Sequence, residues 1–350
     1  MYCDILIVGC GPAGSSAASE AAKTGLNVVI IEKKQSIGEP VQCAEFISKP
    51  LLREINITKN SVVQETKSIK LHLTDNSIFE FNSPGYMLNR SRFDKELAAD
   101  AINNGAKLML NSTFIGMEGE KVLVRTERKS LEIIPKVVIG ADGPSSTVGR
   151  LIKYKNKDFL IGIQYETPLI APMDSLEIYF RSEFFGGYGW LFPKGMLANV
   201  GVGIKNLQTF KGYSIRELLN NFSYTLEREG KIKNMPLSIT FGLIPAGGHL
   251  EKTVYRNVML VGDAAGQTHP ITGSGIPQAI ICGKIAGNVA VEAIKASKLE
   301  ILEKYETKWK KIFSHQLEIA TKRRVLLESN WRDLDSTIRK CWPTFKEYYD

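Results

Sequence analysis

Apolar residues first gather in Asp4-Ile5-Leu6-Ile7-Val8, a run suited to a strand buried on both faces, and the chain then turns through Gly9-Cys10-Gly11-Pro12-Ala13-Gly14. Ala17, Ala18, Ala21 and Ala22 follow at helical spacing up to Gly25, and Val28-Val29-Ile30-Ile31 reads as a second buried strand ending at Glu32. This predicts a β-α-β start. Between 61 and 83 the period changes: Ile69, Leu71 and Leu73 alternate with polar neighbours, Asp75-Asn76 supplies a turn, and Ile78 to Phe81 returns as the second arm of an antiparallel hairpin. Helical spacing resumes at Phe93, Leu97 and Ala101 and stops at Gly105, after which Val137-Val138-Ile139 runs into Gly140-Ala141-Asp142-Gly143. Short strands broken by Gly and Pro fill 158–245, around one helix opened by the capping box Ser214-x-x-Glu217 with Leu218, Leu219, Phe222 and Leu226 facing inward. Val258-Met259-Leu260-Val261 predicts a last buried strand before Gly262-Asp263, Gly273-Ser274-Gly275 and a small-residue helix. From 297 onward the pattern is helical, with Leu302, Tyr305, Trp309, Ile312 and Phe313 on one stripe.

These signals predict an α/β fold of two interleaved domains, as a chain of 350 residues allows. A Rossmann-like dinucleotide-binding domain is expected from 1–60, 84–155 and 252–296. A mixed or antiparallel sheet domain is expected from 61–83 and 156–251, with a helical segment over 297–350. Apolar residues at 43% and charged residues at 23%, with a mean hydropathy of −0.10, describe a chain that folds in water. The net charge of +8 favours acidic partners, but the basic residues are dispersed and the densest run, Lys322-Arg323-Arg324, is short, so no nucleic-acid partner is expected. Five cysteines without a C-x-x-C pair and four scattered histidines predict no metal site and a reducing, cytoplasmic setting. The longest apolar helical stretch, Ile276 to Val291, carries Gln278, Lys284 and Asn288 and is too short to span a bilayer. Any membrane contact is therefore expected to be peripheral.

Gly9-x-Gly11-x-x-Gly14 stands between a strand and a helix, and Glu32 ends the second strand. Gly9 permits the tight turn, Gly11 lets a pyrophosphate approach the backbone, and Gly14 allows close helix packing. The helix start offers unpaired N–H groups to phosphate, and Glu32 can accept from ribose hydroxyls. A dinucleotide is implied, with FAD and NAD both open at this point.

Two later motifs bear on that choice. Gly140-Ala141-Asp142-Gly143-Pro144-Ser145-Ser146 with Arg150, and Val261-Gly262-Asp263-Ala264-Ala265 with Pro270 and Gly273-x-Gly275, resemble motifs of the flavoprotein hydroxylase superfamily built like p-hydroxybenzoate hydroxylase. The resemblance implies FAD, held by Gly9, Gly11, Ala13, Gly14, Glu32, Asp142, Asp263, Gly273, Gly275 and Ile276. It also implies that Arg90, in Arg90-x-x-Phe93-Asp94, contacts the cofactor and that Phe114 lies where a backbone group meets the adenine. Arg90 has a plainer reading as a helix-start arginine paired with Asp94. Independently of the resemblance, Asp263 at a strand end can accept from sugar hydroxyls, and the helix start at Gly275 and Ile276 can present N–H groups to a flavin edge that becomes anionic on reduction.

Pro40-Val41-Gln42-Cys43-Ala44-Glu45 resembles the P-x-x-C-x-E motif of geranylgeranyl reductases. Tyr188-Gly189-Trp190-Leu191-Phe192-Pro193, with Gly201-Val202-Gly203 seven residues on, is similar to the same family's Y-x-W-x-F-P-x(7-8)-G-x-G motif. The resemblance implies an FAD-dependent reductase that saturates isolated C=C bonds of a prenyl chain, on a geranylgeranyl lipid or an isoprenoid quinone. It places Cys43 and Ala44 beside the flavin and Tyr188, Trp190 and Phe192 along the substrate. Cys43 is the candidate catalytic residue, as proton donor or flavin-side orienting group, although a thiol with a pKa near ~8.5 is a weak acid for protonating an alkene. Ala44 and Phe46 stand where family members often carry glycine. An apolar tail must be bound by burial: five carbons per isoprene unit at ~0.8 kcal/mol each is about 4 kcal/mol gross.

One glycine fingerprint leaves no separate nicotinamide domain, so electrons are expected from docked NAD(P)H or from a ferredoxin-like carrier protein. Two other readings of the same motifs stay open: a flavin-dependent monooxygenase or halogenase, and a non-catalytic prenyl-binding escort.

Overall fold

The computed structural model describes residues 1–49, 57–127, 129–205 and 214–349, and the chain divides into two compact units. The first comprises Met1–Glu39, Ser91–Asp158 and Gly247–Ile319; the second comprises Pro40–Arg90, Phe159–Ala246 and Ala320–Asp350.

In the first unit, β1 (Tyr2–Val8) lies between β2 (Val28–Ile31) and β9 (Ser130–Gly140), parallel to both, with β6 (Lys107–Met109) beyond β2 and β16 (Val258–Leu260) beyond β9. The two-residue β15 (Val254–Tyr255) closes one edge. The meander β7 (Thr113–Glu118) and β8 (Lys121–Arg125) continues antiparallel from β9. Successive side chains of a strand point to opposite faces. Ile5, Ile7, Val28, Ile30, Val137 and Ile139 therefore join one core, with α1 (Pro12–Ala22) and α5 (Ile276–Lys295), while Leu6, Val8, Val29, Ile31 and Val138 join another, with Phe114, Val122 and Val124. The two helices pack backbone to backbone: a Cβ on Gly283 would lie 2.3 Å from the Ala13 carbonyl oxygen, and one on Gly287 2.4 Å from that of Ala17. Further along the chain, α6 (Glu303–Ser329) buries Tyr305 and Trp309 completely. The Tyr305 hydroxyl donates to the Leu260 carbonyl (2.9 Å), and the Trp309 indole donates to Thr253 (3.0 Å). Ile312 departs from the predicted stripe and is exposed, because it falls on the outer side of α6 between the buried Trp309 and Phe313.

The second unit is built on a mixed sheet ordered β14-β10-β13-β12-β11-β4-β5-β3. Its strands are β3 (Phe46–Ser48), β4 (Val62–His72), β5 (Ile78–Leu88), β10 (Phe159–Pro168), β11 (Ser175–Tyr179), β12 (Tyr188–Lys194), β13 (Leu197–Ile204) and β14 (Ser238–Pro245). Only β11 with β4 is parallel; the remaining neighbours run antiparallel. α4 (Ile215–Arg228) carries the expected capping box and packs Leu218, Leu219, Phe222 and Leu226 against Ile163, Tyr165, Val200 and Val202. Tyr188, Trp190 and Phe192 alternate with the residues of that core and so occupy the opposite face.

The division differs from the sequence boundaries at several junctions, and residues 156–158 and 247–251 belong with the first unit. Residues 40–49 and 84–90 belong with the second unit, because the three-residue strand β3 pairs with Gly85–Met87 of β5, and 297–350 is shared between the units at Ile319/Ala320. A strand of three residues leaves almost no periodic signal, and a helical stripe does not tell which core it faces.

Candidate functional site

Three glycine motifs of the first unit meet at one edge of its parallel sheet. Gly9 and Val261 follow the C-terminal ends of β1 and β16, and Gly140 ends β9 between them: Gly9 N–H donates to the Ile31 carbonyl (2.8 Å), Ala141 N–H to Val8 (2.8 Å) and Val261 N–H to Gly140 (3.0 Å). Ligands of open α/β sheets bind outside this end of the strands. Within the fingerprint the three glycines have distinct duties. Gly9 has φ +101°, and a Cβ there would sit 2.4 Å from the Ala141 oxygen; one on Gly14 would sit 1.9 Å from the Gly9 oxygen. Gly11 is different: its φ is −78°, and a Cβ would meet nothing within 4 Å. Open space over an otherwise unstrained glycine is what a pyrophosphate drawn close to the backbone requires, so the residues fit a dinucleotide.

Glu32 turns one carboxylate oxygen to the Cys10 N–H (2.8 Å) and the other to the Lys34 N–H (3.0 Å). A carboxylate offers about four lone-pair sites, so each oxygen keeps one for a ribose hydroxyl. Asp142 is used internally: it accepts from Ser146 Oγ (2.5 Å) and from the Thr147 (2.7 Å) and Val148 (3.1 Å) N–H groups, which holds the turn that opens α3 (Thr147–Leu151). Gly143, at φ +82° with nothing within 4 Å of a Cβ, leaves that turn open on its far side. Asp263 accepts from the Thr268 hydroxyl (2.6 Å), and a Cβ on Gly275, the residue capping α5, would lie 3.2 Å from the same carboxylate. Gly273 adopts φ +68° just before Gly275, and Ile276 is the first residue of α5. Ala13 is buried in α1 and Phe114 in β7. His269, half-buried between these turns, has its pKa lowered to about 4 by desolvation and is neutral at pH 7.

Sequence reasoning missed Asn156. Its amide donates to the Pro144 carbonyl (3.0 Å) and the Asp263 carbonyl (2.7 Å), tying the second glycine motif to the third. Asparagine in an irregular segment carries no spacing signal.

In the second unit, Trp190 faces Gly201 across the β12–β13 pair, and the indole lies along a strip without side chains. A Cβ on Gly201 would be 2.2 Å from the Trp190 ring, one on Gly203 3.6 Å and one on Gly162 3.8 Å. The G-x-G that follows the aromatic motif is therefore the bed of its tryptophan. Trp190 Nε1 donates to Gln164 Oε1 (2.9 Å), and Gln164 Nε2 donates to the Cys43 carbonyl (3.2 Å). One buried amide thus joins both motifs. Tyr188 packs edge-on against Trp190 (ring centroids 6.0 Å apart) and Trp342 (5.3 Å), and burial raises its hydroxyl pKa well above the usual tyrosine range. Phe192 meets Phe46 edge-on at 6.3 Å, and the Phe46 ring occupies the place a Cβ on Gly85 would take, 2.2 Å away.

Glu45 organises the Cys43 loop. It is buried, adopts φ +72°, and its carboxylate accepts from the Arg90 N–H (2.9 Å), Asn199 Nδ2 (2.8 Å) and Lys194 Nζ (2.6 Å). Its own N–H donates to Cys43 Sγ (3.2 Å), while Asn199 Nδ2 also reaches the Ala44 carbonyl (3.2 Å). Burial pushes the Cys43 thiol pKa up; the nearby Arg90 guanidinium and the Glu45 N–H pull it down by less. Arg90 therefore has a cysteine as an electrostatic neighbour, which the helix-start reading of the sequence did not contain. Gln164, Asn199 and Lys194 were also missed, since only strand register brings them to this loop.

Comparison with known proteins adds to this geometry. A family model described as the geranylgeranyl reductase catalytic domain matches residues 158–244, and one described as lycopene cyclase protein matches residues 4–165. The digeranylgeranylglycerophospholipid reductase of Methanosarcina acetivorans is 39% identical over 344 residues, covering 91% of this chain and 83% of that protein. The chain belongs to the geranylgeranyl reductase family. The reductase of the same name from Methanocaldococcus jannaschii is 36% identical over 93% of this chain and 86% of its own length. Among solved structures, a geranylgeranyl bacteriochlorophyll reductase-like protein from Thermoplasma acidophilum superposes with a TM-score of 0.85 at 29% identity, covering 98% of this chain and 97% of that one. The flavin-dependent brominase Bmp2, at 16% identity and a TM-score of 0.76 over 98% of this chain and 91% of that one, shares the fold.

Proposed function

We propose that this reductase-family chain binds FAD in its first unit and saturates isolated C=C bonds of a prenyl chain, with a digeranylgeranylglycerophospholipid as its substrate. The observation that carries the reading is Gln164, whose buried amide links Trp190 of one family motif to Cys43 of the other. The relatives named for that activity support the substrate class.

Gly11 and the start of α1 would take the pyrophosphate, Glu32 the adenosine ribose, Asp263 the ribityl chain, and the start of α5 at Gly275 and Ile276 the polar edge of the ring. Bound FAD supplies the hydride once it has been reduced. Each saturation adds that hydride and one proton across the double bond, leaving transient positive character on the tertiary carbon. Aromatic rings stabilise such charge by about 0.5–2 kcal/mol each, the role assigned to Tyr188, Trp190 and Phe192. Burial holds the Cys43 thiol protonated at neutral pH, so Cys43 serves as a small, neutral surface that shapes the reacting region, with Glu45 and Arg90 fixing its loop. Phe46, resting on Gly85, narrows that region. The electron donor is a diffusible reductant, a nicotinamide or a ferredoxin-type carrier, since the sequence carries one dinucleotide fingerprint.

No helix among the described residues is long and apolar enough to cross a membrane, and the lipid substrate is reached from the membrane surface. The test is mass spectrometry of digeranylgeranylglycerophospholipid after anaerobic incubation with the chemically reduced holoprotein. A gain of two hydrogens per bond supports the reading; an unchanged lipid with substrate-stimulated oxygen uptake would replace it with monooxygenation.

A further inference from the structure

At one edge of the second unit's sheet, β14 pairs, among the described residues, with β10 alone. Every second residue there is large, apolar and exposed: Leu237 (64% exposed), Ile239, Phe241 (72%) and Leu243, preceded by Met235. Alternation puts the side chains of Ile239, Phe241 and Leu243 on one face of the strand. Ser238, Thr240 and Gly242 take the other. An edge strand usually carries charge or proline to discourage contact, whereas this one presents a continuous apolar stripe, of a kind that marks an interaction surface.

We propose that this stripe seats the protein on an anionic lipid bilayer. The inference rests on the lipid-reductase reading above and says which surface meets the lipid phase. Three observations favour a bilayer over another polypeptide. First, strand addition uses the edge's main-chain groups, and at the centre of β14 the Phe241 carbonyl already accepts from Gln42 Nε2 (2.8 Å). Second, no Asp or Glu occurs between Gly230 and Leu250, while Lys233 is exposed at the approach to the strand and the chain carries a net charge of +8. Such a charge balance draws a surface toward acidic headgroups. Third, Gln42 is the residue before Cys43, so the stripe is fastened to the loop that the proposed chemistry uses. The lysine at 231 is not counted, because its ammonium is held by Glu177 (2.6 Å).

The experiment is co-sedimentation of the full-length holoprotein with vesicles of phosphatidylglycerol and phosphatidylcholine, and with vesicles of phosphatidylcholine alone. Wild type is expected to pellet with the mixed vesicles, less with the neutral ones. The double variant Leu237→Glu/Ile239→Glu should lose at least tenfold in partitioning while keeping its circular dichroism spectrum and its turnover of a detergent-dispersed prenyl substrate. Ile78→Glu, at an exposed apolar position on β5, should pellet as wild type does. Equal partitioning of the double variant and wild type, or a wild-type protein that stays in the supernatant, would overturn the proposal. So would a dimer seen by light scattering that the double variant dissolves, which would make the stripe a contact between copies. Vesicle binding without alkene reduction would leave the stripe standing and remove the substrate reading, so the two failures are distinguishable.

Discussion

Trp190 lies so close over Gly201 that a single added carbon would come within 2.2 Å of its ring. The aromatic motif and the glycine motif after it are two halves of one contact across the β12–β13 pair. Gly201→Ala must lift the indole and strain the Trp190–Gln164–Cys43 chain. Overpacking of this kind costs about 1–3 kcal/mol. We expect a folded protein with a lowered melting temperature and normal flavin content, with prenyl reduction down at least tenfold; thermal denaturation and single-turnover rates measure each part.

Gly11 and Gly14 separate ligand space from packing. Gly11→Ala meets no protein atom and has an ordinary φ, whereas Gly14→Ala drives into the Gly9 carbonyl. Gly11→Ala should leave the melting temperature of the flavin-free protein unchanged and weaken FAD binding tenfold or more. Gly14→Ala should lower both. Titration calorimetry with FAD and denaturation of the apoprotein check the pair.

Glu45 raises the Cys43 pKa by its charge, and Arg90 lowers it. Glu45→Gln should therefore shift the pH midpoint of Cys43 alkylation downward, and Arg90→Gln should shift it upward. The readout is the rate of modification by iodoacetamide across pH, followed by mass mapping of Cys43. Movement of both midpoints in the same direction would contradict this electrostatic arrangement.

A second buried cluster governs acid stability. Burial alone would raise the pKa of Glu177, but the His72 imidazole 3.2 Å away and hydrogen bonds from Lys231 and Tyr179 outweigh it and bring the pKa down to about 2. A carboxylate depressed in the folded state contributes stability that is complete above its unfolded pKa of about 4.5 and is lost as pH falls toward about 2. Glu177→Gln should destabilise by about 3–5 kcal/mol at pH 7, the cost of breaking a buried pair. The gap from wild type should narrow through that acid window, as urea unfolding at each pH will show.

The three motifs on the first sheet were legible because each follows a run of buried strand residues and contains glycines that no packing pattern requires. Strand ends in an open sheet converge, so order along the chain sufficed to bring Gly9, Gly140 and Val261 together. Gln164, Asn199, Lys194 and Asn156 were illegible for the opposite reason. Each is a polar residue whose partner lies on another strand or turn, and register, which sequence does not print, decides the pairing. Glu45 stands in the P-x-x-C-x-E motif, yet its positive φ and three partners belong to the folded loop alone.

The most direct measurement mixes anaerobically reduced holoprotein with digeranylgeranylglycerophospholipid in a stopped-flow spectrometer and follows the return of oxidised flavin absorbance. Reoxidation without oxygen is expected, one flavin turnover for each double bond saturated. Flavin that stays reduced in the presence of the lipid, and is reoxidised only when oxygen is admitted, would contradict it.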